Sequence, residues 1–323
     1  MKILITGGAG FIGSNYVRRL LAGAYPSVSD ARVTVLDALT YAGSEANLPL
    51  SDERLTLVKG DVRDRELLMD LFPGQDAVLH FAAESHVDRS IMGGSEFAAT
   101  NVLGTQTVLE AALRTGVPRV VHISTDEVYG SLESGSWDEQ CPLWPNSLYA
   151  ASKAGADLLA RAYARTHGLN VSVTRCSNNY GPYQHVEKVI PRFVTNLLTG
   201  GTVPLYGDGR NIRDWLHVDD HCQGIQLVLT GGRPGEIYNI GGGTELANVE
   251  LTERLLELCG AGWDRVRRVP DRKGHDFRYS VNDDKIRAEL GYRPQVPFDR
   301  GLADVTAWYR QNEPWWRRLT EAA

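Results

Sequence analysis

The sequence predicts an α/β protein with a doubly wound parallel sheet, followed by a smaller mixed α/β lobe. Two observations in the first half of the chain predict the sheet. Short, nearly continuous apolar runs are typical of strands buried on both faces, and amphipathic stretches alternate with them. A third observation is the glycine-rich turn that joins the first apolar run to the first amphipathic stretch. At 323 residues the chain is long enough to add a second lobe.

The strands and helices of the first half alternate along the chain. The predicted strands are residues 2–6, 32–37, 55–60, 76–82, 119–124 and 170–175. The helical periodicity falls between them, at residues 11–22, 64–71, 95–115 and 147–167.

The pattern changes after residue 175. The stretch "RDWLHVDDHCQGIQLVL" predicts a turn leading into a helix, and "EIYNIGGG" predicts a strand that glycines end. Further helical periodicity falls at residues 187–199, 248–259, 282–289 and 299–312. We therefore predict a first domain of residues 1–175 and a second lobe of residues 176–323, with some of this chain crossing back to the first domain.

Composition excludes several classes of function. The net charge of −6, from 34 basic and 40 acidic residues, disfavours binding to nucleic acid or to an anionic membrane. Apolar runs all fall short of the roughly 20 residues of a membrane span, and "MKILITGG" lacks a signal-peptide layout. The scattered cysteines, with no C-x-x-C pair, predict neither zinc nor disulfides and favour a reduced, cytoplasmic setting: Cys141, Cys176, Cys222 and Cys259.

The glycine-rich turn predicts a dinucleotide site of the Rossmann type. In "ITGGAGFIGSNYVRRLL", Gly7, Gly10 and Gly13 follow the first strand and open the first helix. Such glycines allow a tight turn, close approach of the backbone to a pyrophosphate and close packing of helix on strand. A lone match to this spacing is weak, but here the predicted strand and helix flank it.

Two acids after later strands predict which dinucleotide is bound. Asp37 ends the second strand, where a carboxylate accepts from a ribose 2′-OH and repels a 2′-phosphate. The following "ALTY" has no Lys or Arg, so NAD is favoured over NADP. Asp61 could lie near the adenine amino group, or cap a helix over residues 62–71, and the two roles are compatible.

Two further motifs carry groups suited to acid–base chemistry. In "SLYAASK", Tyr149 and Lys153 are four residues apart and share one helix face, where an ammonium close to a phenol would lower the pKa of the phenol. In "STDEVYG", Asp126 and Glu127 stand side by side at the end of a predicted buried strand. A surface turn would explain the second motif, and chance would explain the first. Both acids can serve one site only if the strand has ended by Asp126.

These motifs together resemble one family along nearly the whole chain. They are "GGAGFIG", "LDALTYAG", "GDVRD", "HFAAESHVDRS", "STDEVYG", "YAASKAGAD", "NNYGPYQ", "RDWLHVDDHC", "YNIGGG" and "DRKGHDFRYSVNDDKI". The chain resembles the extended short-chain dehydrogenase/reductases that act on nucleotide sugars, and within them the dehydratases of dTDP-glucose. Epimerases of this family usually lack the Thr-Asp-Glu sequence, and GDP-mannose dehydratases usually prefer NADP.

The resemblance implies an NAD-dependent lyase that forms a 4-keto-6-deoxy sugar. Tyr149 would take the C4 hydroxyl proton, with Lys153 beside it, and Thr125 would bind the C4 oxygen. Glu127 would be the base at C5, and Asp126 the acid that protonates O6. Residues 1–175 would then bind NAD and residues 176–323 the nucleotide sugar. Another nucleotide-sugar epimerase or dehydratase, and a non-catalytic NAD-binding regulator, remain alternatives.

Further site residues come from the same resemblance. The predicted cofactor-binding set is Gly7, Gly10, Phe11, Ile12, Gly13, Asp37, Leu39, Thr40, Asp61, Val62, Ala82, Ala83, Ser85, Thr100, Tyr149, Lys153 and Asn179. The predicted substrate-binding set is Ser85, Thr125, Asn178, Glu187, Lys188, Val189, Pro204, Tyr206, Arg213, Asn248, Arg272 and His275. The family's usual "HFPEK" is altered before Glu187 to Gln184, His185 and Val186.

Several of these residues also have a structural interpretation. Arg213 or Arg272 would grip a diphosphate, since a guanidinium binds phosphate bidentately, or would pair with Asp214 or Asp276. The remaining structural alternatives are an Asp88–Arg89 ion pair, turn positions for Asn178 and Asn179, and packing of the tail by "PWWRR". By analogy with the family, helices 95–115 and 147–167 would pair across a twofold axis as the four-helix bundle of a homodimer.

Overall fold

The computed structural model describes residues 1–321. Its strands are β1 Lys2–Thr6, β2 Arg32–Asp37, β3 Leu55–Lys59, β4 Ala77–His80, β5 Val120–Thr125, β6 Val171–Cys176, β7 Asn178–Tyr180, β8 Val203–Tyr206, β9 Ile212–His217, β10 Ile237–Ile240, β11 Glu245–Ala247 and β12 Val266–Val269. Its α-helices are α1 Phe11–Leu21, α2 Arg65–Leu71, α3 Val87–Met92, α4 Ser95–Phe97, α5 Thr105–Thr115, α6 Leu148–His167, α7 Val189–Leu198, α8 Val218–Gly231, α9 Asn248–Cys259, α10 Asp284–Leu290, α11 Phe298–Gln311 and α12 Glu313–Glu321.

The central sheet has seven strands, in the order β10-β6-β5-β4-β1-β2-β3, and every neighbouring pair is parallel. The strand order reverses between β1 and β4, and ligands of such sheets bind at this reversal, beyond the carboxyl ends of the strands. The predicted doubly wound α/β fold with a mixed second lobe is confirmed.

Alternation along the strands explains why helices cover both faces of the sheet. In β1, the side chains of Ile3 and Ile5 join an apolar cluster with α1 and α8, whereas Leu4 joins the opposite cluster with α2 and α5. All three side chains are fully buried. A strand buried on both faces reads as a continuous apolar run, and "KILIT" is such a run.

The second lobe has its own sheets and its own apolar cluster. Strands β11, β9 and β7 form one sheet, and β12 pairs with β8 in another. Helices α7, α9 and α11 pack there around Phe193, Trp215, Leu251 and Phe298. Strand β10 returns to the central sheet, and helix α8 packs against α1. The division at residue 175 stays a prediction.

Two predicted elements differ in the structure. The predicted helix 95–115 is interrupted, because a π-helical segment, Ala98–Gly104, separates α4 from α5. The predicted turn in "RDWLHV" is wrong, since these residues belong to strand β9 between β11 and β7. The partners of β9 are short and distant in the chain, so local sequence gave no sign of them.

No helix within residues 1–321 is long and apolar enough to cross a membrane.

Candidate active site

A cavity of about 360 Å³ opens at the carboxyl ends of the central strands, between β1 and β4. It brings together predicted residues from the glycine turn, from the ends of β2 to β6 and from α6. The predicted site residues that line it are Gly7, Gly10, Phe11, Ile12, Gly13, Asp37, Thr40, Asp61, Val62, Ala82, Ala83, Ser85, Thr100, Thr125, Asp126, Glu127, Tyr149, Lys153, Asn178, Asn179 and Lys188.

The glycine turn fits a dinucleotide. Gly7 has a positive φ of 69°, and a Cβ there would lie 2.5 Å from the backbone nitrogen of Ala82. A Cβ on Gly13 would lie 2.4 Å from the carbonyl oxygen of Gly7, so helix α1 packs too closely on the turn for any larger residue. Gly10 caps α1 without a side chain, which leaves the first N–H groups of the helix facing the cavity. Such N–H groups bind phosphate.

Asp37 links the glycine turn to the loop after β2. Its carboxylate accepts hydrogen bonds from the backbone nitrogens of Ala9 at 2.9 Å and Leu39 at 2.8 Å. Burial raises the pKa of Asp37, and these two bonds oppose the rise. Leu39 lies outside the cavity, and its φ of 53° is unusual for a residue with a side chain. Asp37 therefore orders the turn as well as lining the cavity.

Asp61 lines the cavity but does not cap a helix. The cap of α2 is Asp64, whose carboxylate accepts from the backbone nitrogen of Leu67 at 3.1 Å, so the predicted capping role of Asp61 is wrong. Asp61 instead forms a 2.7 Å ion pair with Arg63, and this guanidinium holds the pKa of Asp61 below its ordinary value. Arg63 thus brings a basic group to the cavity wall, already paired with a carboxylate.

Strand β5 ends at Thr125, and a 3₁₀ turn, Asp126–Tyr129, follows it. The Thr125 hydroxyl accepts a hydrogen bond from the backbone nitrogen of Glu127 and donates one to Asp126 Oδ1, both at 3.3 Å. The consecutive acids therefore no longer alternate between the two faces of a strand. Both line the cavity, as a shared site requires.

The two acids sit in different environments. Asp126 is 2% exposed, and its Oδ2 has no hydrogen-bond partner in residues 1–321. Burial, together with the neighbouring Glu127, raises the pKa of Asp126 well above its ordinary value. Burial also raises the pKa of the half-buried Glu127, but the positive charges of Arg272 and Lys188 oppose that rise. Asp126 is thus the better suited of the two to act as an acid, and Glu127 the better suited to act as a base.

Tyr149 and Lys153 both line the cavity from helix α6, which Ser147 caps by accepting from the backbone nitrogen of Ala150 at 3.0 Å. The predicted lowering of the phenol pKa by the lysine is wrong for this conformation. Burial and Glu127 raise the pKa of Tyr149 well above its ordinary value. The Lys153 ammonium instead donates to the carbonyl oxygen of Ile123 at 2.7 Å, and burial lowers its pKa to about 8.

Asn178 and Asn179 belong to strand β7, so their interpretation as simple turn residues is wrong. Asn179 donates to the carbonyl oxygen of Ser177 at 2.9 Å, and its Oδ1 lies 2.9 Å from Nδ1 of His221. Asn178 Oδ1 is buried and lacks a hydrogen-bond partner within the described part of the chain. Since buried polar atoms are nearly always bonded, this oxygen marks a place for a ligand group.

The remaining predicted residues lie outside the cavity, on the second lobe or in the loops that join it. Val189 begins α7, Pro204 and Tyr206 lie on β8, Arg213 lies on β9 and Asn248 begins α9. Glu187, Arg272 and His275 lie in loops, and the positive charges of Arg272 and Arg213 act on the pKa of Glu127. These arginines are therefore near the acids, although the walls of the cavity do not include them.

The ion pairs expected from sequence are replaced by others. Arg213 donates to the carbonyl oxygens of Ile212 at 2.7 Å and Asp276 at 3.0 Å, not to a carboxylate. Arg272 lies 3.6 Å from Asp88.

Within the described residues 1–321, Asp88 pairs with Arg272 and not with its neighbour Arg89. Arg89 of α3 binds Glu187 at 2.7 Å instead, and so joins α3 to the loop before α7. Lys188 reaches the loop before α3 by donating to the carbonyl oxygen of Ser85 at 2.6 Å.

The cavity also includes residues that the sequence analysis did not select. They are mostly neighbours of predicted positions at strand ends, and include Glu84, Glu96, Ile123, Ser124, Cys176, Ser177, Gln184 and His185. Glu84, Ser124, Cys176 and Ser177 lie at or just after the ends of predicted strands, and this position is the signal that could have identified them. Among residues 1–321, no cluster of His, Cys, Asp and Glu is suited to a metal ion.

Comparison with known proteins agrees with this geometry. Residues 4–305 match the family model described as GDP-mannose 4,6 dehydratase. The dTDP-glucose 4,6-dehydratase of Streptomyces niveus is 60% identical over 99% of this chain and 96% of its own length. That of Mycobacterium tuberculosis is 48% identical over 100% of this chain and 97% of its own length.

Solved structures give the same result. The crystal structure of DesIV, a dTDP-glucose 4,6-dehydratase from Streptomyces venezuelae with NAD bound, is 65% identical, has a TM-score of 0.98 and covers 99% of this chain and 100% of that one. A UDP-glucose 4-epimerase from Thermus thermophilus, in complex with NAD, is 32% identical and has a TM-score of 0.88. The match covers 97% of this chain and 100% of the epimerase chain. The chain therefore belongs to the nucleotide-sugar 4,6-dehydratases of the extended short-chain dehydrogenase/reductase family, in the dTDP-glucose branch.

Proposed function

We propose that this enzyme dehydrates dTDP-glucose to dTDP-4-keto-6-deoxyglucose, with NAD as its resident cofactor. The observation that carries the proposal is the pair of acids at the end of β5. Asp126, whose pKa burial raises well above its ordinary value, and Glu127, where Arg272 and Lys188 oppose such a rise, line one cavity with Tyr149. An elimination needs such an acid and such a base on neighbouring carbons.

The glycine turn and Asp37 hold the cofactor. The free N–H groups at the start of α1 bind the pyrophosphate, and Asp37 faces the adenosine ribose. When bound, NAD supplies the redox chemistry, because it accepts a hydride from C4 and returns it to C6, so that no reductant is consumed overall. Gly7, Gly13 and Ala82 keep the backbone close enough for this fit.

Tyr149 takes the proton of the C4 hydroxyl, and Thr125 hydrogen-bonds the C4 oxygen. Because burial and Glu127 raise the pKa of this phenol, proton removal needs a compensating positive charge nearby. Lys153 lies one helical turn further along α6 and is bound to the Ile123 carbonyl. We infer that its ammonium leaves this carbonyl to stabilise the phenolate.

The 4-ketone then acidifies the C5 proton. Glu127 removes that proton, and the electron pair of the C5–H bond is held as the enolate of the C4 ketone until the C6–O6 bond breaks, when it forms the C5–C6 double bond. Asp126 gives its proton to O6, which departs as water. The difference in basicity that the elimination requires comes from burial and Glu127, which raise the pKa of Asp126, and from Arg272 and Lys188, which oppose the rise in the pKa of Glu127.

The second lobe binds the rest of the nucleotide sugar. Arg272 has one loose partner, Asp88 at 3.6 Å, and is therefore a better grip for the diphosphate than Arg213, whose N–H groups already meet carbonyl oxygens. The proposed contacts are His275 with the diphosphate, Pro204, Tyr206 and Asn248 with the base and ribose, and Ser85, Asn178, Glu187, Lys188 and Val189 with the sugar.

A nucleotide-sugar 4-epimerase is the second candidate, since an epimerase shares this fold at 32% identity. An epimerase needs only the Tyr149 chemistry at C4 and has no use for an acid at O6. Asp126 and Glu127 therefore favour the dehydratase. The same groups argue against a non-catalytic NAD-binding regulator.

We further propose a homodimer that works in the cytoplasm. Leu148 and Leu158 of α6 are 54% and 55% exposed, and Leu103, in the π-helical segment that packs against α6, is 54% exposed. Exposed leucines on two packed helices fit pairing with a second copy as a four-helix bundle. Residues 1–321 hold four free cysteines, which fits a reducing compartment.

The test of the function is turnover of dTDP-glucose in D₂O, with no added oxidant, read by mass spectrometry. The proposal predicts loss of one water, a single solvent deuterium at C5 and no accumulation of reduced cofactor. UDP-glucose, run in parallel, should be converted more slowly. An unchanged mass with formation of the galactose isomer would show an epimerase. Bound NAD without any turnover would favour the regulator.

Asp126→Asn is expected to stabilise the enzyme at high pH while impairing catalysis. A carboxyl whose pKa is raised by folding binds its proton more tightly in the folded chain, so stability falls as pH rises from the ordinary aspartate range towards the folded pKa. Asparagine stays neutral. The melting temperature of the variant should therefore exceed that of the wild type at about pH 8, and by less at about pH 4.

The matched control is Asp30→Asn, which makes the same change at an exposed aspartate. Its melting temperature should follow that of the wild type at both pH values. If the melting temperature of Asp126→Asn exceeds that of the wild type by no more at about pH 8 than at about pH 4, folding does not raise the pKa of Asp126.

Leu158→Glu is expected to weaken the dimer. A charge placed in an apolar helix interface must lose its hydration, so self-association should fall at least about tenfold in sedimentation equilibrium. The control is Leu50→Glu, since Leu50 is 46% exposed in the loop before β3. A wild type that sediments as a monomer, or a Leu158→Glu variant as dimeric as the control, would disprove the bundle interface.

A further inference from the structure

The C-terminal helix α12 contacts the nucleotide-binding half of the molecule. It carries the tryptophans of "PWWRR", which do pack as a tail, but Trp315 also donates from Nε1 to Asn47 Oδ1 at 2.9 Å. Trp316, which is 3% exposed, donates from Nε1 to the carbonyl oxygen of Tyr309 at 2.7 Å within its own lobe. One of the two indoles therefore reaches across to the first half of the chain.

Asn47 connects this helix to the glycine turn. Its side chain is 3% exposed, and its Nδ2 donates to the carbonyl oxygen of Ala9 at 2.9 Å. Arg18 donates to the Asn47 carbonyl oxygen at 2.7 Å and fixes the backbone from the side of α1. Both polar atoms of the Asn47 amide are thus used, one on Trp315 and one on Ala9.

Both the backbone nitrogen and the carbonyl oxygen of Ala9 are hydrogen-bonded. Its nitrogen donates to Asp37 Oδ2 at 2.9 Å, and its carbonyl oxygen accepts from Asn47 and from the backbone nitrogen of Ser44 at 3.1 Å. The next residue, Gly10, is the cap of α1 and lines the cavity. Fixing the Ala9 carbonyl therefore fixes the peptide that leads into the phosphate-binding N–H groups.

The same aromatic cluster supports a second wall of the cavity. Tyr183 packs on Trp308 and Trp315, with ring centroids 4.6 Å and 5.4 Å apart. Its φ of 66° is unusual for a residue with a side chain, so packing has to hold it. Gln184 follows in the cavity wall, and its carbonyl oxygen accepts from the Tyr309 hydroxyl at 2.6 Å.

We propose that Trp315 is a positioning residue for the dinucleotide. Through Asn47 it holds the Ala9–Gly10 peptide in the conformation that binds the pyrophosphate, and it thereby sets how tightly the cofactor is retained. The inference rests on the proposed function, because an enzyme that restores its cofactor within each turnover needs to keep that cofactor bound.

The test is the NAD dissociation constant of the full-length protein, measured by calorimetry, with the melting temperature of each variant. Trp315→Phe removes the N–H donor and keeps an aromatic ring on Tyr183. It leaves Asn47 Oδ1 buried without its donor, and NAD should bind about tenfold more weakly. Trp316→Phe is the matched control, since it removes an indole N–H from the same helix and should retain the wild-type dissociation constant.

A double-mutant cycle tests the route through Asn47. The combination of Trp315→Phe with Asn47→Ala should bind NAD as weakly as Asn47→Ala alone. Additive losses, or a Trp315→Phe variant that binds NAD like the wild type, overturn the proposal.

If Trp315→Phe does not fold, Asn47→Asp replaces it, because Asp keeps the acceptor for Trp315 and loses the donor to Ala9. An unchanged dissociation constant in Asn47→Asp overturns the proposal too.

These outcomes are separate from a failure of the proposed function. NAD binding is measured without a sugar nucleotide, so loss of the Trp315 effect in a chain that still dehydrates dTDP-glucose overturns the positioning role alone. A wild-type chain that binds no NAD overturns both.

Discussion

The end of strand β5 at Thr125 is the constraint on which the proposed chemistry depends. One further residue of extended backbone would turn Asp126 and Glu127 to opposite faces of the sheet. The 3₁₀ turn keeps both on the cavity, and the Thr125 hydroxyl stabilises it by accepting from the backbone of Glu127. Because β5 lies inside the sheet, the turn begins in a buried environment, where a small difference in surroundings separates the protonation of two adjacent acids.

The two lobes supply opposite charges to this turn. The central sheet carries Asp126 and Glu127, whereas Arg213 and Arg272 come from chain beyond residue 175, as does Lys188. Burial is the largest cause of the raised pKa of both acids, but all three positive charges oppose the rise at Glu127, whereas the neighbouring Glu127 adds to the rise at Asp126. The proposed assignment of base and acid thus depends on residues from both parts of the chain.

The fold and the nucleotide half of the site could be predicted because their signals are local. The run "KILIT", the glycine turn, Asp37 at a strand end and Ser147 as the cap of α6 each act over a few neighbouring residues. Steric and hydrogen-bonding requirements of this kind are readable from spacing alone.

The parts that sequence missed depend on contacts between distant segments. Strand β9 was predicted as a turn because its partners, β7 and β11, are short and remote. Arg89 was paired with its neighbour Asp88 but binds Glu187, 98 residues away.

Lys153 was expected to act on Tyr149, four residues before it, but its ammonium reaches a carbonyl on β5. In each case a tertiary contact outcompeted the local one.

The most direct test of the central claim is exchange of the C5 hydrogen of dTDP-glucose with D₂O, compared between Asp126→Asn and Glu127→Gln by mass spectrometry. If Asp126 is the acid and Glu127 the base, Asp126→Asn still exchanges the C5 hydrogen while its loss of water falls by about 10²- to 10⁴-fold. Glu127→Gln then neither exchanges the hydrogen nor loses water. Exchange that survives in Glu127→Gln, or disappears in Asp126→Asn, would contradict the account.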